Sequence, residues 1–311
     1  MTFGDGDHRY ELVEDWARLP AGESFRDVAS VRIDADDRVF VLNRSDRPVM
    51  VFDPGGERVA TWGEGEFSDR PHGMGIGPDG NVYCTDDGAH TVTGFTPDGE
   101  PLLTLGRENE PSDTGYRDVE DSFERLASIT RAAGPFNRPT GVAVADSGDI
   151  FVADGYGNAR VHAFGPDGEL RRSWGSPGPG EGEFRLPHSI GVDGEERVWV
   201  ADRENSRIQI FDADGTFLAQ WRDLIRPTDL CVDGGTVFVS ELCNRVSVFT
   251  VEGELLTRWG NAGHAGEEPL FLAPHAVAVD SRGDVYVGEV SFTYAGTDRG
   301  ARTIRKFERR T

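Results

Sequence analysis

Lysine is almost absent from this chain of 311 residues. Lys306 is the single lysine among 32 basic residues, and 55 acidic residues give a formal net charge of −23 at pH 7. Such a field repels phosphate backbones and anionic lipid headgroups, so we expect neither nucleic acid nor membrane as a partner. A salt-rich cytoplasm and a GC-rich genome would each explain the acidic, lysine-poor composition.

Long apolar runs are also missing. Hydrophobic residues make up 37% of the chain and occur in short stretches, far below the roughly 20 consecutive residues of a membrane helix. Residues 1–8 contain neither the basic region nor the apolar segment of an export signal. We therefore expect a cytoplasmic protein.

Cysteine is scarce as well. The three cysteines, Cys84, Cys231 and Cys243, show no Cys-x-x-Cys spacing. An odd number without such spacing argues against a disulfide framework and favours buried thiols in a reducing compartment.

Glycine and proline, by contrast, are plentiful, with 40 and 17 residues, and they punctuate a sixfold internal repeat. Each repeat contains short alternating apolar runs separated by turn residues, which predicts four antiparallel strands. The repeats start near Asp27, Pro71, Pro139, Pro187, Pro227 and Pro274. The sixth repeat has three strands, and residues 10–16 resemble the missing fourth. We therefore predict an all-β, six-bladed β-propeller, a single domain over 1–311 whose ring is closed by the N-terminal strand.

Two segments interrupt the repeat. Residues 107–136 form an insert between the second and third blades, with a short helix expected near 119–126. Residues 291–302 form a second insert in the sixth blade and have the composition of a loop. Each insert could act as a lid over one face of the propeller.

Three histidines share one repeat position, directly after the opening proline: His72, His188 and His275. They fall in the second, fourth and sixth repeats. The opening strand of a blade lines the central channel, so alternate blades would bring three imidazoles together with three-fold geometry. Three neutral imidazoles with an open fourth position suit a catalytic Zn²⁺, with Fe²⁺ or Mn²⁺ as alternatives. The remaining histidines do not share a repeat position, and we expect them to be surface residues or to pack between blades: His8, His90, His162 and His264.

The alternative to a metal site is that Pro-His is a common variant of the first turn of a blade. Strict alternation between repeats favours the metal. Lewis-acid chemistry also needs a proton acceptor and an anion anchor. Tyr156 and Arg44 follow the second strand of the third and first repeats and are the candidates, although a surface-loop role is the simpler reading of each alone.

The blades resemble NHL repeats, and the ring as a whole resembles peptidyl-α-hydroxyglycine α-amidating lyase, also called peptidylamidoglycolate lyase. The resemblance covers residues 25–307. Its most specific motifs are Arg-Pro-His-Gly at 70–73, Asp-Gly-Tyr-Gly-Asn-Ala-Arg at 154–160, Pro-His-Ser at 187–189, the stretch 200–209, and Pro-His at 274–275.

This resemblance implies roles for five residues. The family's zinc ligands match His72, His188 and His275. Its general base matches Tyr156, and an essential arginine close to that tyrosine matches Arg44. The implied reaction splits an N-acyl-α-hydroxyglycine into a primary amide and glyoxylate, so the implied partner is a small-molecule or peptide substrate bearing a carboxylate.

The chain departs from the family pattern at several positions. Ala273 replaces a methionine two residues before the third zinc histidine, and Gly157 replaces a cysteine beside the tyrosine. Ala276 replaces the aspartate that would bind a structural Ca²⁺, leaving only the main-chain carbonyl positions Val31 and Met74, which argues against calcium.

Two other functions stay open at this point. One is a metal-dependent hydrolase of a small amide, ester or lactone on the same scaffold. The other is a non-catalytic NHL module that binds protein. A propeller fold alone supports none of the three, and the sequence makes no prediction of the oligomeric state.

Overall fold

The computed structural model describes residues 2–260 and 269–310. It is all-β, with six antiparallel sheets, and the six-bladed propeller class predicted from the repeats is confirmed. Packing divides the chain into two compact units, residues 65–227 (the central unit) and residues 1–64 with 228–311 (the terminal unit). The prediction of one domain stays a prediction, and His264 lies outside the described residues.

Each sheet corresponds to one repeat. The terminal unit begins with β1 (Thr2–Asp5) and β2 (His8–Val13), followed by a sheet of β3 (Val28–Ile33), β4 (Val39–Asn43), β5 (Val49–Phe52) and β6 (Arg58–Trp62). The central unit contains three sheets. The second sheet of the chain consists of β7 (Pro71–Ile76), β8 (Val82–Asp86), β9 (Thr91–Phe95) and β10 (Pro101–Gly106), and helix α1 (Ser122–Ser128) follows it. The third sheet consists of β11 (Pro139–Val144), β12 (Ile150–Asp154), β13 (Arg160–Phe164) and β14 (Leu170–Trp174), and the fourth of β15 (Pro187–Val192), β16 (Val198–Asp202), β17 (Arg207–Phe211) and β18 (Phe217–Trp221). The fifth sheet consists of β19 (Pro227–Asp233), β20 (Thr236–Glu241), β21 (Arg245–Thr250) and β22 (Leu255–Gly260). The sixth contains β23 (Pro274–Val279), β24 (Val285–Glu289) and β25 (Ile304–Arg310), with helix α2 (Ser291–Ala295) between β24 and β25.

The acidic residue that ends the second strand of most sheets has a structural role. Asp202 accepts hydrogen bonds from the backbone N–H groups of Arg185 and Leu186 at 2.9 and 3.1 Å. Glu289 accepts one from Ala273 at 3.1 Å. Because these N–H groups precede the opening strand, the acid ties the entry of a sheet to the end of its second strand and satisfies donors that burial would otherwise leave unpaired.

Apolar side chains fill the space between neighbouring sheets of a unit. Between the third and fourth sheets, Phe151, Val161, Val200 and Phe211 lie in one fully buried cluster. Successive side chains of these strands point to opposite faces of the sheet, and both faces are buried: in β12, Phe151 belongs to this cluster, whereas Val152 belongs to another one. Burying each such side chain contributes about 1.5–3 kcal/mol to the stability of the fold. The contacts between neighbouring sheets therefore stabilise the fold together.

The sixth sheet is completed by the N-terminal strand, as predicted, but with different bounds. Strand β2 pairs with β25, with Leu12 opposite Phe307. The expected strand over 10–16 instead ends at Val13, and Trp16 packs against Tyr286, with ring centroids 5.0 Å apart. Strand β1 folds back on β2 as an unpredicted fifth strand.

Both inserts contain a short helix. In the insert over 107–136, α1 begins after Asp121, whose side chain accepts the backbone N–H groups of Phe123 and Glu124. This agrees with the expected helix, displaced by a few residues. The second insert was expected to be a loop, but α2 forms there and ends at Gly296 in the left-handed conformation. None of the helices that the structure describes is long and apolar enough to cross a membrane.

Candidate active site

The three histidines occupy a bulge at the start of an opening strand. In β15, Pro187 pairs with Asp202 and Ser189 pairs with Ala201, so His188 is the extra residue of the pairing. The same slip places His275 between paired residues of β23. A bulge redirects the side chain of the unpaired residue, which explains why this repeat position carries the histidines.

Backbone carbonyls fix the orientation of two of these imidazoles. His72 Nδ1 lies 2.6 Å from the Thr140 carbonyl oxygen, and His275 Nδ1 lies 2.8 Å from that of Ala29. A carbonyl only accepts hydrogen bonds, so Nδ1 carries the proton and Nε2 keeps its lone pair. Thr140 and Ala29 occupy the histidine position of their own repeats. The next opening strand thus sets the tautomer, as a backbone carbonyl does for many metal-binding histidines.

All three histidines are buried. In the part of the chain that the structure describes, each of the three offers one ring nitrogen as a possible metal ligand, His72 and His188 in the central unit and His275 in the terminal unit. This donor set contains no carboxylate, so a bound divalent ion would keep its charge.

Tyr156 contacts two of the histidines within the central unit. Its hydroxyl oxygen lies 3.1 Å from Nε2 of His72 and 3.1 Å from Nε2 of His188. The tyrosine ring stands at 90° to the His72 ring, with centroids 4.9 Å apart. Because Nδ1 of His72 carries the proton, its Nε2 can accept the phenol hydrogen, and the Tyr156 hydroxyl links the two imidazoles.

An arginine that sequence reasoning did not select contacts the same tyrosine. Arg203 Nη1 donates to the Tyr156 hydroxyl oxygen at 3.4 Å, and its guanidinium carbon lies 5.6 Å from the tyrosine ring centroid. Arg203 also binds Glu204 at 2.9 Å, and Arg226 binds the same carboxylate at 2.7 Å. We call these three charged residues the Glu204 network. Burial works to raise the pKa of Glu204, but the two arginines outweigh it and hold the pKa below its usual range.

A second ion-pair network lies beside the Tyr156 loop. The fully buried carboxylate of Asp87 binds Arg70 at 2.7 Å and Arg138 at 2.9 Å. Burial opposes the charge of Arg70, but Asp87 prevails and raises its pKa. The Arg138 carbonyl accepts the Tyr156 backbone N–H at 3.2 Å. We call Arg70, Asp87 and Arg138 the Asp87 network.

Arg44, the predicted anion anchor, lies in the terminal unit. Its Nη1 is 3.4 Å from Asp27 and 3.1 Å from Thr293 Oγ1 in helix α2. Its side chain is nine-tenths buried, and its Nε has no hydrogen-bond partner among the described residues. The guanidinium therefore retains capacity to bind an anion, and its place beside Tyr156 stays a prediction.

The two alanines that depart from the family pattern lie in apolar surroundings. Ala276 and Val31 share one hydrophobic cluster of the terminal unit. Ala273 packs in another with Leu242 and Val290. The alanines thus fill core positions in this chain.

The insert over 107–136 forms one wall of a cavity of about 590 Å³ in the central unit. Tyr116 lines this cavity together with Asp87 and Arg138, and its hydroxyl accepts a hydrogen bond from Arg138 Nη1 at 2.9 Å. The segment therefore contacts the Asp87 network, and its role as a lid stays a prediction.

The repeat register could have identified the missed charged residues. Arg44 directly follows the last residue of β4, and Arg203 holds the same position after β16. Asp87 holds it after β8. Comparing this one position across all repeats would have found both networks.

The sheets and repeats define an NHL-repeat, six-bladed propeller. The NHL repeat model matches residues 136–164 and 184–211, which contain the first three strands of the third and of the fourth sheet. The gluconolactonase of Xanthomonas campestris shares the fold, with a TM-score of 0.63 at 17% identity, covering 97% of this chain and 90% of that one.

Homologues of the chain include lyases. Peptidyl-alpha-hydroxyglycine alpha-amidating lyase 1 of Drosophila melanogaster is 30% identical over 279 residues, which cover 78% of this chain and 47% of the lyase. The chain thus spans less than half the length of this curated relative. NHL repeat-containing protein 3 of Homo sapiens is 28% identical over 329 residues, covering 96% of this chain and 84% of that protein.

Proposed function

We propose that this protein is a metal-dependent lyase that cleaves an N-acyl-α-hydroxyglycine into a primary amide and glyoxylate. The observation that carries the proposal is the Tyr156 hydroxyl, placed 3.1 Å from Nε2 of both His72 and His188. The similarity to a protein named as an α-hydroxyglycine amidating lyase supports this choice of reaction.

His72, His188 and His275 would hold the metal, which we propose is Zn²⁺, with Fe²⁺ or Mn²⁺ as alternatives. The donor set fits, because a carbonyl oxygen binds Nδ1 of His72 and of His275, so the proton lies on Nδ1 and Nε2 carries the lone pair that a metal ion requires. When bound, the ion would supply Lewis-acid polarisation of the substrate's oxygen atoms.

Tyr156 would remove the proton from the substrate hydroxyl. As that proton leaves, the electron pair of the O–H bond forms the aldehyde carbonyl of glyoxylate and the C–N bond breaks. The electron pair of the C–N bond goes to the amide nitrogen, which takes up one proton to complete the primary amide, so that one proton is removed and one is returned in each turnover. Arg203 donates to the Tyr156 oxygen at 3.4 Å and would hold that oxygen in position during the proton transfer.

The two networks would attract the substrate carboxylate. The Asp87 and Glu204 networks together contain four arginines and two carboxylates. They carry a local surplus of positive charge in a chain with a net charge of −23. Arg44 is the proposed third contributor, through the partner-free Nε described above.

The test is turnover of α-hydroxyhippurate by the purified protein, with glyoxylate and benzamide measured together. Tyr156→Phe should lower kcat by about 10²–10⁴-fold, the usual contribution of general acid–base catalysis, and should leave metal content unchanged. Tyr83→Phe is the matched control, because Tyr83 is a buried core residue in the same unit.

Three results would overturn the proposal. Unchanged turnover by Tyr156→Phe would remove this residue from the mechanism. Metal binding with ester or lactone cleavage, and no glyoxylate, would indicate a hydrolase instead. A protein that binds no transition metal and keeps its stability with a chelator would indicate a non-catalytic NHL module.

A further inference from the structure

Thr114 connects the insert over 107–136 to the loop that carries Tyr156. Its side chain is buried, and its Oγ1 donates to the Gly157 carbonyl oxygen at 2.6 Å. Asn137 Nδ2 donates to the same Oγ1 at 3.3 Å and to the Ser112 carbonyl at 2.9 Å. The hydroxyl therefore links the insert, the approach to β11 and the peptide directly after Tyr156.

The other side of this loop is tied to the approach to β11. Tyr156 N–H donates to the Arg138 carbonyl at 3.2 Å, and Gly157 N–H donates to the Asn137 carbonyl at 3.0 Å. A Cβ at position 157 would lie 2.0 Å from Asn137 Oδ1. The loop is thus packed too closely for a side chain at 157, and Thr114 supplies its tether to the insert.

We propose that Thr114 is a positioning residue for Tyr156, so that the insert serves the reaction by fixing the loop that carries the base. This inference rests on the proposed function. The Tyr156 oxygen lies 3.1 Å from two imidazole nitrogens at once, and a shift of either distance changes both contacts. A misplacement of about 1 Å in an active site can lower the rate about a hundredfold.

Two substitutions at Thr114 separate its hydroxyl from its shape. Thr114→Val keeps the volume and removes the donor, whereas Thr114→Ser keeps the donor. We expect Thr114→Val to lower kcat about tenfold to a hundredfold with KM changed less than about twofold, and Thr114→Ser to stay within about threefold of wild type.

Ser128→Ala is the matched control within the same insert. Ser128 Oγ accepts the Arg117 N–H at 2.8 Å and donates to the Arg125 carbonyl at 2.6 Å. Among the described residues, these hydrogen bonds of Ser128 stay within the insert and do not reach the Tyr156 loop. Its removal should lower the melting temperature without lowering kcat.

Two further measurements distinguish positioning from general stability. In the Tyr156→Phe background, Thr114→Val should cause no additional loss of kcat, because residues that act as a unit are not additive. Hydrogen exchange of peptides covering 154–158 should be faster in Thr114→Val and unchanged in Ser128→Ala. This second readout requires no turnover.

Each outcome decides between the proposals. The positioning role would be overturned if Thr114→Val left either the hydrogen exchange over 154–158 or kcat unchanged. It would also be overturned if Thr114→Ser did not restore kcat, or if the losses of Thr114→Val and Tyr156→Phe were additive. Full turnover by Tyr156→Phe would overturn the proposed function instead. An inactive Tyr156→Phe with a normal Thr114→Val would overturn the positioning role alone.

Discussion

The buried ion pair of Arg207 and Asp202 gives a sharp test of how the fourth sheet is stabilised. Both side chains are fully buried, and Arg207 Nε lies 2.9 Å from Asp202 Oδ2. The other guanidinium nitrogens donate to the Pro179, Gly180 and Glu183 carbonyls and to Gln220 Oε1. Arg207→Met would keep much of the volume and leave a buried carboxylate without its cation.

The expected cost follows from this geometry. Unit charges 2.9 Å apart interact by about 6 kcal/mol at an effective dielectric constant of about 20. Removing one partner of a buried pair costs about 3–5 kcal/mol. For 311 residues the unfolding entropy is about 0.65 kcal/mol/K, so the melting temperature should fall by about 5–8 °C.

The assay is thermal unfolding followed by circular dichroism, with two comparison variants. Arg160→Met is the matched control, since Arg160 is the first residue of β13 as Arg207 is of β17. Arg160 Nε has no hydrogen-bond partner among the described residues, and its loss should cost less than about 1 kcal/mol. The double variant Asp202→Asn with Arg207→Met should be more stable than the sum of the single changes predicts, because residues in one ion pair couple.

A fall of less than 2 °C for Arg207→Met, or equal effects of Arg207→Met and Arg160→Met, would refute this reasoning. Additive single changes would refute it equally, because they would show that the two charges do not depend on each other.

Three further predictions concern the metal, a titrating histidine and the thiols. Removing the metal with a chelator should lower the melting temperature, and Zn²⁺ should restore it, because a ligand that binds only the folded state stabilises it; unchanged unfolding curves would contradict this. Burial, with a smaller effect of Arg138, lowers the pKa of His90, whose Nδ1 accepts the Arg138 N–H at 3.0 Å. His90 in the unfolded chain is protonated near pH 6.5, whereas in the folded protein it is protonated only at lower pH. The free energy of unfolding should therefore fall as the pH drops below about 6.5. In unfolding experiments across this pH range, His90→Asn should show a smaller fall. Burial raises the pKa of Cys84 above its usual range and that of Cys231 to about 11. Cys84 is buried, whereas Cys231 is partly exposed, so Cys84 should react with a thiol reagent only after unfolding. Rapid labelling of Cys84 in the native protein, followed by mass spectrometry, would show this to be wrong.

The repeat pattern predicted the fold well because each strand is short, alternating and bounded by turn residues. It failed where a segment lies outside the repeat. Strand β1 (Thr2–Asp5) has no counterpart in the other sheets, and its pairing depends on a long-range contact with β2. The helix α2 (Ser291–Ala295) is tied to Asp27, whose side chain accepts the Phe292 and Thr293 N–H groups. No local pattern indicates a partner so distant in sequence.

The candidate site was predictable to the extent that it follows the repeat. The shared position of His72, His188 and His275 needs no structure to be seen. The contact of Arg203 with Tyr156 can be seen only in the structure, because it depends on how the ends of two neighbouring sheets pack. The sequence shows both residues in loops after a second strand but gives neither the distance nor the orientation that joins them.

The same repeat position provides residues of opposite charge for different purposes. Directly after the second strand of the second sheet, Asp87 forms ion pairs with two arginines. At the same position in the fourth sheet, Arg203 binds both Glu204 and Tyr156. Gly155 occupies this position in the third sheet, where a Cβ would lie 2.1 Å from the Pro187 carbonyl oxygen. The side chain at this one position therefore decides what each of these sheets contributes. Exchange of the charge here, as in Arg203→Glu, should accordingly alter the site while leaving the sheet that carries it intact.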